Sequence, residues 1–335
     1  MSLLEANAVT TSFVTGNGLV RAVQEVDLSL DRGRVLGVVG ESGSGKSALV
    51  RSIMGLYRLD RAAICSGSIT FDGVSLDQLS ESSLRRMWGR RIAIVFQNPL
   101  SSLNPVVTIG RQITESLRRH TGLSKVLATS RACELLQSVD MPDPERRMGE
   151  YPHQLSGGMR QRVAIAIALS SEPELLIADE PTTALDVTVQ AQVLRLLRQL
   201  QESRAMAMIL VSHDFGVVAS IADEVAVMYA GRIVEHSAVR QAIEKPMHPY
   251  TDALLRSMPR VDQPVGTRLA AIGGRPPNLL ALPPGCAFEP RCERSSELCA
   301  GKRPELLEEP PGRLCACWNP LADAPARSSE RPDRS

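Results

Sequence analysis

A chain of 335 residues is close to the upper size of one compact domain, so one large domain with an appendage is expected. A formal charge of +1 removes any general electrostatic reason to bind nucleic acid, and 3% aromatic residues leave little for base-stacking platforms. Hydrophobic residues at 43% suffice for a core. No apolar run approaches the ~20 residues of a bilayer span and the start lacks a basic-then-apolar leader, so the chain is expected to stay where it is made.

In chain order, Leu3–Leu30 alternates apolar and polar residues around a Gly16-Asn17-Gly18 turn and reads as antiparallel strands. Four short runs rich in Val, Ile and Leu follow, at Val35–Val39, Ile92–Phe96, Leu175–Ala178 and Met208–Val211. Such runs suit strands buried on both faces, and the helix-like stretches between them, including Ala48–Leu56 and Val163–Leu169, give the βαβ alternation of an α/β domain with a parallel sheet. Between Pro105 and Tyr151 the chain turns helical and charge-laced, notably at Ile113–His120 and Ser130–Val139, and reads as a helical subdomain inserted at about 105–155. Ala184–Glu202 spaces Leu185, Val189, Val193, Leu196, Leu197 and Leu200 at three- and four-residue steps, an amphipathic helix. After about Lys245 the composition shifts to Pro and Cys. The expected organisation is a body at 1–244, an extension at 245–321 and a disordered tail at 322–335.

The residues that follow the four runs point to chemistry. They are the phosphate-loop sequence, Gln97, the pair Asp179-Glu180 and, after Ser212, His213. Open α/β sheets bind ligands at the carboxyl ends of their strands, so these groups describe one site. Gly40-Glu41-Ser42-Gly43-Ser44-Gly45-Lys46-Ser47 fits G-x-x-x-x-G-K-[ST] between a strand and a helix. Its glycines turn backbone N–H groups around phosphates, Lys46 is expected to reach the β- and γ-phosphates, and the Ser47 hydroxyl to ligate Mg²⁺. Glu174–Glu180 (ELLIADE) fits a Walker B strand, in which Asp179 would hold Mg²⁺ and Glu180 would polarise the water that attacks the γ-phosphate. Ser156-Gly157-Gly158 opens a helix and makes a second anion nest. With one phosphate-loop lysine for two nests, either two anions bind or the second nest closes another molecule's site.

Seven cysteines are distributed unevenly: Cys65 and Cys133 are isolated, while Cys286, Cys292, Cys299, Cys315 and Cys317 crowd the end. Without an export leader this bias favours ligation of a metal or cluster over disulfides. The spacing C-x5-C-x6-C, completed by Cys315 or Cys317, matches neither zinc ribbons nor the bacterial ferredoxin run, and alone it leaves a soft-metal site and bare thiols both open.

The phosphate loop, Gln97, LSGGMRQR, LLIADEP, Ala184-Leu185-Asp186 and His213, in this order, closely resemble the ATP-binding subunit of ABC transporters over about Leu3–Ile243. The resemblance implies a P-loop NTPase fold of the ABC type, with an antiparallel β subdomain and an inserted helical subdomain. It also implies a head-to-tail pair in which ATP is sandwiched between Gly40–Ser47 of one subunit and Ser156, Gly157 and Gly158 of the other. On it, Phe13 stacks on adenine, Gln97 touches Mg²⁺ and the attacking water, His213 contacts the γ-phosphate, and Asp186 tunes the interface.

Tyr151-Pro152-His153-Gln154, DEPTTALDVTVQAQV from Asp179, Asn98–Pro105 and Met247-His248-Pro249-Tyr250-Thr251 extend the likeness to dipeptide/oligopeptide-type importer ATPases, a subfamily that also serves nickel and glutathione uptake. This resemblance implies attachment to the cytoplasmic face of the cell membrane, through contact of the segment after Gln97 with a permease coupling helix. Its partners are a second ATP-binding subunit (identical or paralogous), two membrane permeases and, indirectly, an extracytoplasmic solute-binding protein. It further implies that Cys286, Cys292, Cys299 and Cys317 hold a 4Fe-4S cluster, although the nearness of Cys315 leaves the fourth ligand open and Trp318 replaces the usual histidine. A structural role is favoured over electron transfer, because nothing nearby suggests a redox partner and a loop-rich extension could hardly bury enough apolar area alone. A second function class, a soluble ABC ATPase acting on nucleic acid or ribosomes, usually has two cassettes or a long coiled coil, and this sequence has neither. A third is an iron–sulfur sensor that merely uses ATP.

Overall fold

The computed structural model describes residues 2–60, 62–98, 102–183, 185–258, 272–308 and 310–321. The expected tail at 322–335 lies outside them, as do residue 184 and residues 99–101 of the Asn98–Pro105 loop. Strands β1 (Ser2–Thr15) and β2 (Gly18–Asp31) form the expected hairpin. β3 (Val35–Val39) leads into the phosphate loop and the helix Lys46–Ile53, which starts two residues before the expected Ala48. β4 (Ala63–Phe71) and β5 (Val74–Ser75) complete a four-stranded antiparallel sheet in the order β2-β1-β4-β5.

β6 (Ile92–Val95), β7 (Leu175–Asp179), β8 (Ala207–Ser212) and β9 (Glu224–Tyr229) are joined with β3 in a parallel array. β10 (Arg232–Ala238), β11 (Leu307–Glu308) and β12 (Leu314–Cys315) add an antiparallel wing, giving the order β11-β12-β10-β9-β3-β8-β7-β6. The parallel strands are apolar at successive positions because both faces are covered. On β3, Val35 and Val39 enter one core and Leu36 and Val38 the other; on β7, Leu176 and Ala178 face one and Leu175 and Ile177 the other.

Helices Ile109–Thr121, Lys125–Ser138 and Pro144–Arg147 lie within about 105–155, and Gly157–Ala168 follows where a helix is expected at Val163–Leu169. The amphipathic stretch forms Val187–Arg204, capped by Asp186 through Val189 N–H at 2.9 Å. Among the described residues no helix is long and apolar enough to cross a membrane.

The extension supplies β11 and β12 of this wing and packs on β10. Glu235 of β10, fully buried, accepts hydrogen bonds from Met247 N–H (3.0 Å) and His248 N–H (2.8 Å), and Arg313 lies 3.4 Å away. Burial pushes its carboxyl up, and these donors pull it back. His248 Nδ1 in turn caps the helix Pro249–Arg256 by accepting Tyr250 N–H at 3.0 Å. Phe288 is 5.3 Å from the rings of both Tyr229 and Tyr250, so an aromatic cluster seals the joint.

Candidate active site

Strand register brings the motif residues to one edge. Val39 pairs with Ser212, Asp179 with Val211, and Val95 with Ala178, so the residues just beyond these ends are neighbours in a row. They are Gly40, His213, Glu180 and, one step further, Gln97. The side chains converge as the register requires: Gln97 Nε2 donates to Glu180 Oε2 at 2.7 Å, and His213 Nδ1 lies 3.4 Å from the same oxygen. Ser47 Oγ donates to Asp179 Oδ1 at 2.9 Å, tying the phosphate loop to the Walker B strand.

The phosphate loop is already folded around its lysine. Lys46 is 4% exposed, and its ammonium donates to the carbonyls of Gly40 (2.7 Å) and Glu41 (2.9 Å). Burial pulls its pKa down, against the carboxylates of Glu180, Asp179 and Glu41 that hold it up. Gly45 sits at φ +104 as the helix begins, and a Cβ there would lie 2.2 Å from Ala22 O, so both conformation and space demand glycine. Ser42 and Gly43 face solvent, while Ser44 Oγ is buried without a partner.

Asp179 fits a cation-holding role. It is 1% exposed, and its Oδ2 has no hydrogen-bond donor; the nearest cation is Arg51 at 4.0 Å. Burial raises its pKa, against Ser47, Arg51 and Lys46, which lower it. Ser47, bonded to Asp179, and Gln97, bonded to the adjacent Glu180, carry neutral oxygens of the kind suited to Mg²⁺.

Glu180 is held at a backbone angle of φ +48, uncommon for a side chain larger than glycine. Its N–H is fixed by Val211 O at 3.0 Å, and its Oε2 also accepts from Thr183 Oγ1 at 2.9 Å. Strain of this kind at a strand tip aims the carboxylate off the sheet edge, and the surrounding bonds maintain it. Thr183 is a contributor that the motif spelling DEPTT contained but sequence reasoning did not single out.

Ser156 caps Gly157–Ala168 by accepting Met159 N–H at 3.3 Å, and Ser156 and Gly157 are exposed. A Cβ at Gly158 would meet Val189 Cγ1 at 2.5 Å, so glycine is required where this helix crosses Val187–Arg204. Phe13, half-buried on β1, makes an edge-to-face contact with Tyr57 at 4.8 Å.

The extension cysteines form no disulfide. Among the described residues, no group of three or more His, Cys, Asp or Glu side chains stands close enough to share one metal ion. Cys286, Cys292, Cys299 and Cys317 are nevertheless near neighbours. Burial, with the adjoining thiolates adding to it against an Asn319 N–H, pushes the Cys317 thiol up to about 11. Cys286 N–H donates to Cys299 O at 2.7 Å, and Asn319 links Cys317 Sγ (3.3 Å) to Cys299 Sγ (3.7 Å). Cys315 lies instead on β12, paired with Glu235 of β10 and Leu307 of β11.

Comparison with known proteins gives two family matches. Residues 23–183 match the ABC transporter family, and residues 234–299 match the oligopeptide/dipeptide transporter C-terminal region. The chain is 47% identical over 321 residues to the oligopeptide transport ATP-binding protein OppD of Salmonella typhimurium, covering 96% of this chain and 95% of that one. It is also 47% identical to AppD of Bacillus subtilis, another oligopeptide transport ATP-binding protein, over 95% of this chain and 96% of the relative. Among solved structures, a dimeric post-hydrolysis state of the ATP-binding cassette MJ0796 bound to ADP and Pi matches with TM-score 0.64 and 28% identity, over 71% of this chain and 99% of that one. The cbiO1 cassette of Clostridium perfringens matches at TM-score 0.61 and 27% identity, over 72% of this chain and 90% of its own. With its strand tips delivering a phosphate loop, a Walker B pair and a histidine to one edge, the chain is an ATPase that belongs to the ABC transporter family of ATP-binding proteins, in the group that carries the oligopeptide/dipeptide transporter C-terminal region.

Proposed function

We infer that this ATPase powers the import of peptides through a membrane permease, with ATP binding drawing two ATP-binding subunits together and hydrolysis releasing them. The observation that carries the mechanism is the convergence of Gln97, Thr183 and His213 on Glu180 beside the Ser47–Asp179 pair. In this reading Gly40–Ser47 cradles the phosphates, and Glu180 orients and accepts a proton from the attacking water. Gln97 and His213 hold that carboxylate and meet the γ-phosphate. Ser47, Asp179 and Gln97 would hold Mg²⁺, which when bound would neutralise phosphate charge. The nest Ser156-Gly157-Gly158, exposed at Ser156 and Gly157, belongs in this reading to the partner's nucleotide, Asp186 lies at the shared interface, and Phe13 supports adenine.

The names of the relatives, oligopeptide transport ATP-binding proteins, support an oligopeptide as cargo. In this reading the segment after Gln97 meets a permease at the cytoplasmic face. Tagged chain solubilised from membranes should bring down two membrane-spanning subunits. In proteoliposomes that assembly should hydrolyse ATP faster when a binding protein loaded with an oligopeptide is added. Recovery with ribosomes or nucleic acid, and no such stimulation, overturns the reading.

We also propose that Cys286, Cys292, Cys299 and Cys317 hold a 4Fe-4S cluster that staples the extension. Sulfur donors suit iron, and a four-iron cluster spreads its ligands over separate metal corners, wider than the spacing one ion requires. Cys317 is favoured over Cys315 because it neighbours the other three, whereas Cys315 belongs to a strand. Anaerobically purified protein should show a broad visible absorption near 400 nm, the order expected for iron–sulfur charge transfer. Cys317→Ser should abolish this band and Cys315→Ser should spare it. A colourless, iron-free native protein of unchanged melting temperature refutes the assignment.

A further inference from the structure

The second position of the phosphate loop carries a carboxylate, Glu41, in a loop built to receive a triphosphate. Its backbone is fixed on both sides of the peptide: Glu41 N–H donates to Tyr250 Oη at 2.7 Å, and Glu41 O accepts from Lys46 Nζ (2.9 Å) and Ser44 N–H (3.1 Å). Its side chain is gripped by Arg291, 250 residues away, in a two-pronged ion pair: Nη1–Oε2 at 2.6 Å and Nη2–Oε1 at 2.8 Å.

Arg291 is no loose surface cation. Its side chain is 3% exposed, and its remaining N–H groups donate to Gly273 O (2.7 Å), Ile272 O (3.3 Å) and Tyr229 Oη (3.2 Å). It also lies against the rings of Tyr229 and Phe288, and it directly precedes Cys292. The extension touches the other flank of the site too: Leu279 O accepts from Arg21 N–H on β2, next to Ala22, whose carbonyl packs on Gly45.

We propose that Arg291 is a positioning residue for ATP binding: it neutralises and clamps Glu41, so that the cysteine-bearing extension sets the affinity of the phosphate loop for nucleotide. The physical reason is charge. An unpaired carboxylate one residue from Gly40 and beside the Lys46 ammonium competes for that ammonium and repels the triphosphate. A bidentate guanidinium removes the competition and leaves Lys46 for the phosphates. The catalytic carboxylate, amide and imidazole are not touched by Arg291, so its loss acts on binding and not on the chemical step.

This proposal rests on Gly40–Ser47 being the triphosphate site, and the test separates the two. In the full-length protein, Arg291→Gln should raise both the Kd for a fluorescent ATP analogue and the KM of hydrolysis about tenfold, with kcat at saturating ATP within about twofold of native. Glu41→Gln on the Arg291→Gln background should recover at least half of the lost affinity on a logarithmic scale, a rescue that a merely structural arginine would not allow. Arg291→Lys, which keeps the charge and loses the fork, should fall between native and Arg291→Gln and guards against a folding defect in the latter. Native-like Kd in Arg291→Gln, a fall in kcat instead of a rise in KM, or a double variant no better than the single overturns the proposal. Native-like ATP binding by Lys46→Ala would instead remove the site on which it stands.

Discussion

Glu180→Gln should slow ATP turnover about a hundred- to a thousandfold, the range expected when a positioned base is lost, while nucleotide affinity stays within a few-fold of native. Glutamine has the size of glutamate, and its side-chain oxygen can still accept from Gln97 Nε2 and Thr183 Oγ1, so the loop geometry persists. The strained φ of +48 also persists, because it is fixed by the N–H bond to Val211 O and not by the side chain's charge. What disappears is the anion that, in the proposed mechanism, orients water and accepts its proton. If two subunits share the nucleotide, the variant should also accumulate as an ATP-dependent dimer, seen by light scattering on a size-exclusion column. It should revert to monomer when EDTA strips Mg²⁺. Turnover within twofold of native, measured by phosphate release, would show that Glu180 is a structural link between Gln97 and Thr183.

The sequence made the catalytic edge legible because each of its strands ends in a chemical group, so an apolar run and a motif vouch for each other. β3, β6, β7 and β8 were readable for that reason, within one or two residues of their bounds. β9 is as apolar as they are, but it ends at Ala230-Gly231 and turns straight back into β10, so no motif marks it. β4 hides for the opposite reason: Ala63–Phe71 mixes Cys, Ser and Gly, and its exposed stretch has no alternation to follow. The helix Gly157–Ala168 begins six residues before the expected Val163, because its opening glycines are poor helix formers and only the Ser156 cap and packing on Val189 make them helical. The wiring of Glu41 to Tyr250 and Arg291 had no sequence signal at all. Those residues lie far beyond the ATPase motifs, and only tertiary docking through Phe288 and Glu235 brings them to the loop. Local chemistry is written in spacing; the support that fixes it is written in packing.

Lys46→Ala carries the other large effect, on binding. The ammonium is buried between two loop carbonyls and faces Asp179, Glu180 and Glu41, so it offsets much of the acidic charge that a triphosphate must approach. Truncating it leaves those carboxylates against the phosphates without a counter-charge. A loss of about 3 kcal/mol, typical of removing one partner from a buried charge pair, corresponds to a rise in Kd of about a hundredfold. Lys46→Arg should not restore affinity, because a planar guanidinium is too wide for the slot between Gly40 O and Glu41 O that a compact ammonium fills at 2.7 and 2.9 Å. Titration with a fluorescent ATP analogue, beside thermal melts that confirm a folded protein, measures both variants. The melts matter because the alanine also removes the strut between the two carbonyls. If the loop then collapses, the melting temperature falls together with affinity, whereas pure charge loss lowers affinity alone. Should Lys46→Ala bind within twofold of native while melting normally, the lysine would have no role in holding ATP, and Gly40–Ser47 would lose its assignment as the triphosphate site.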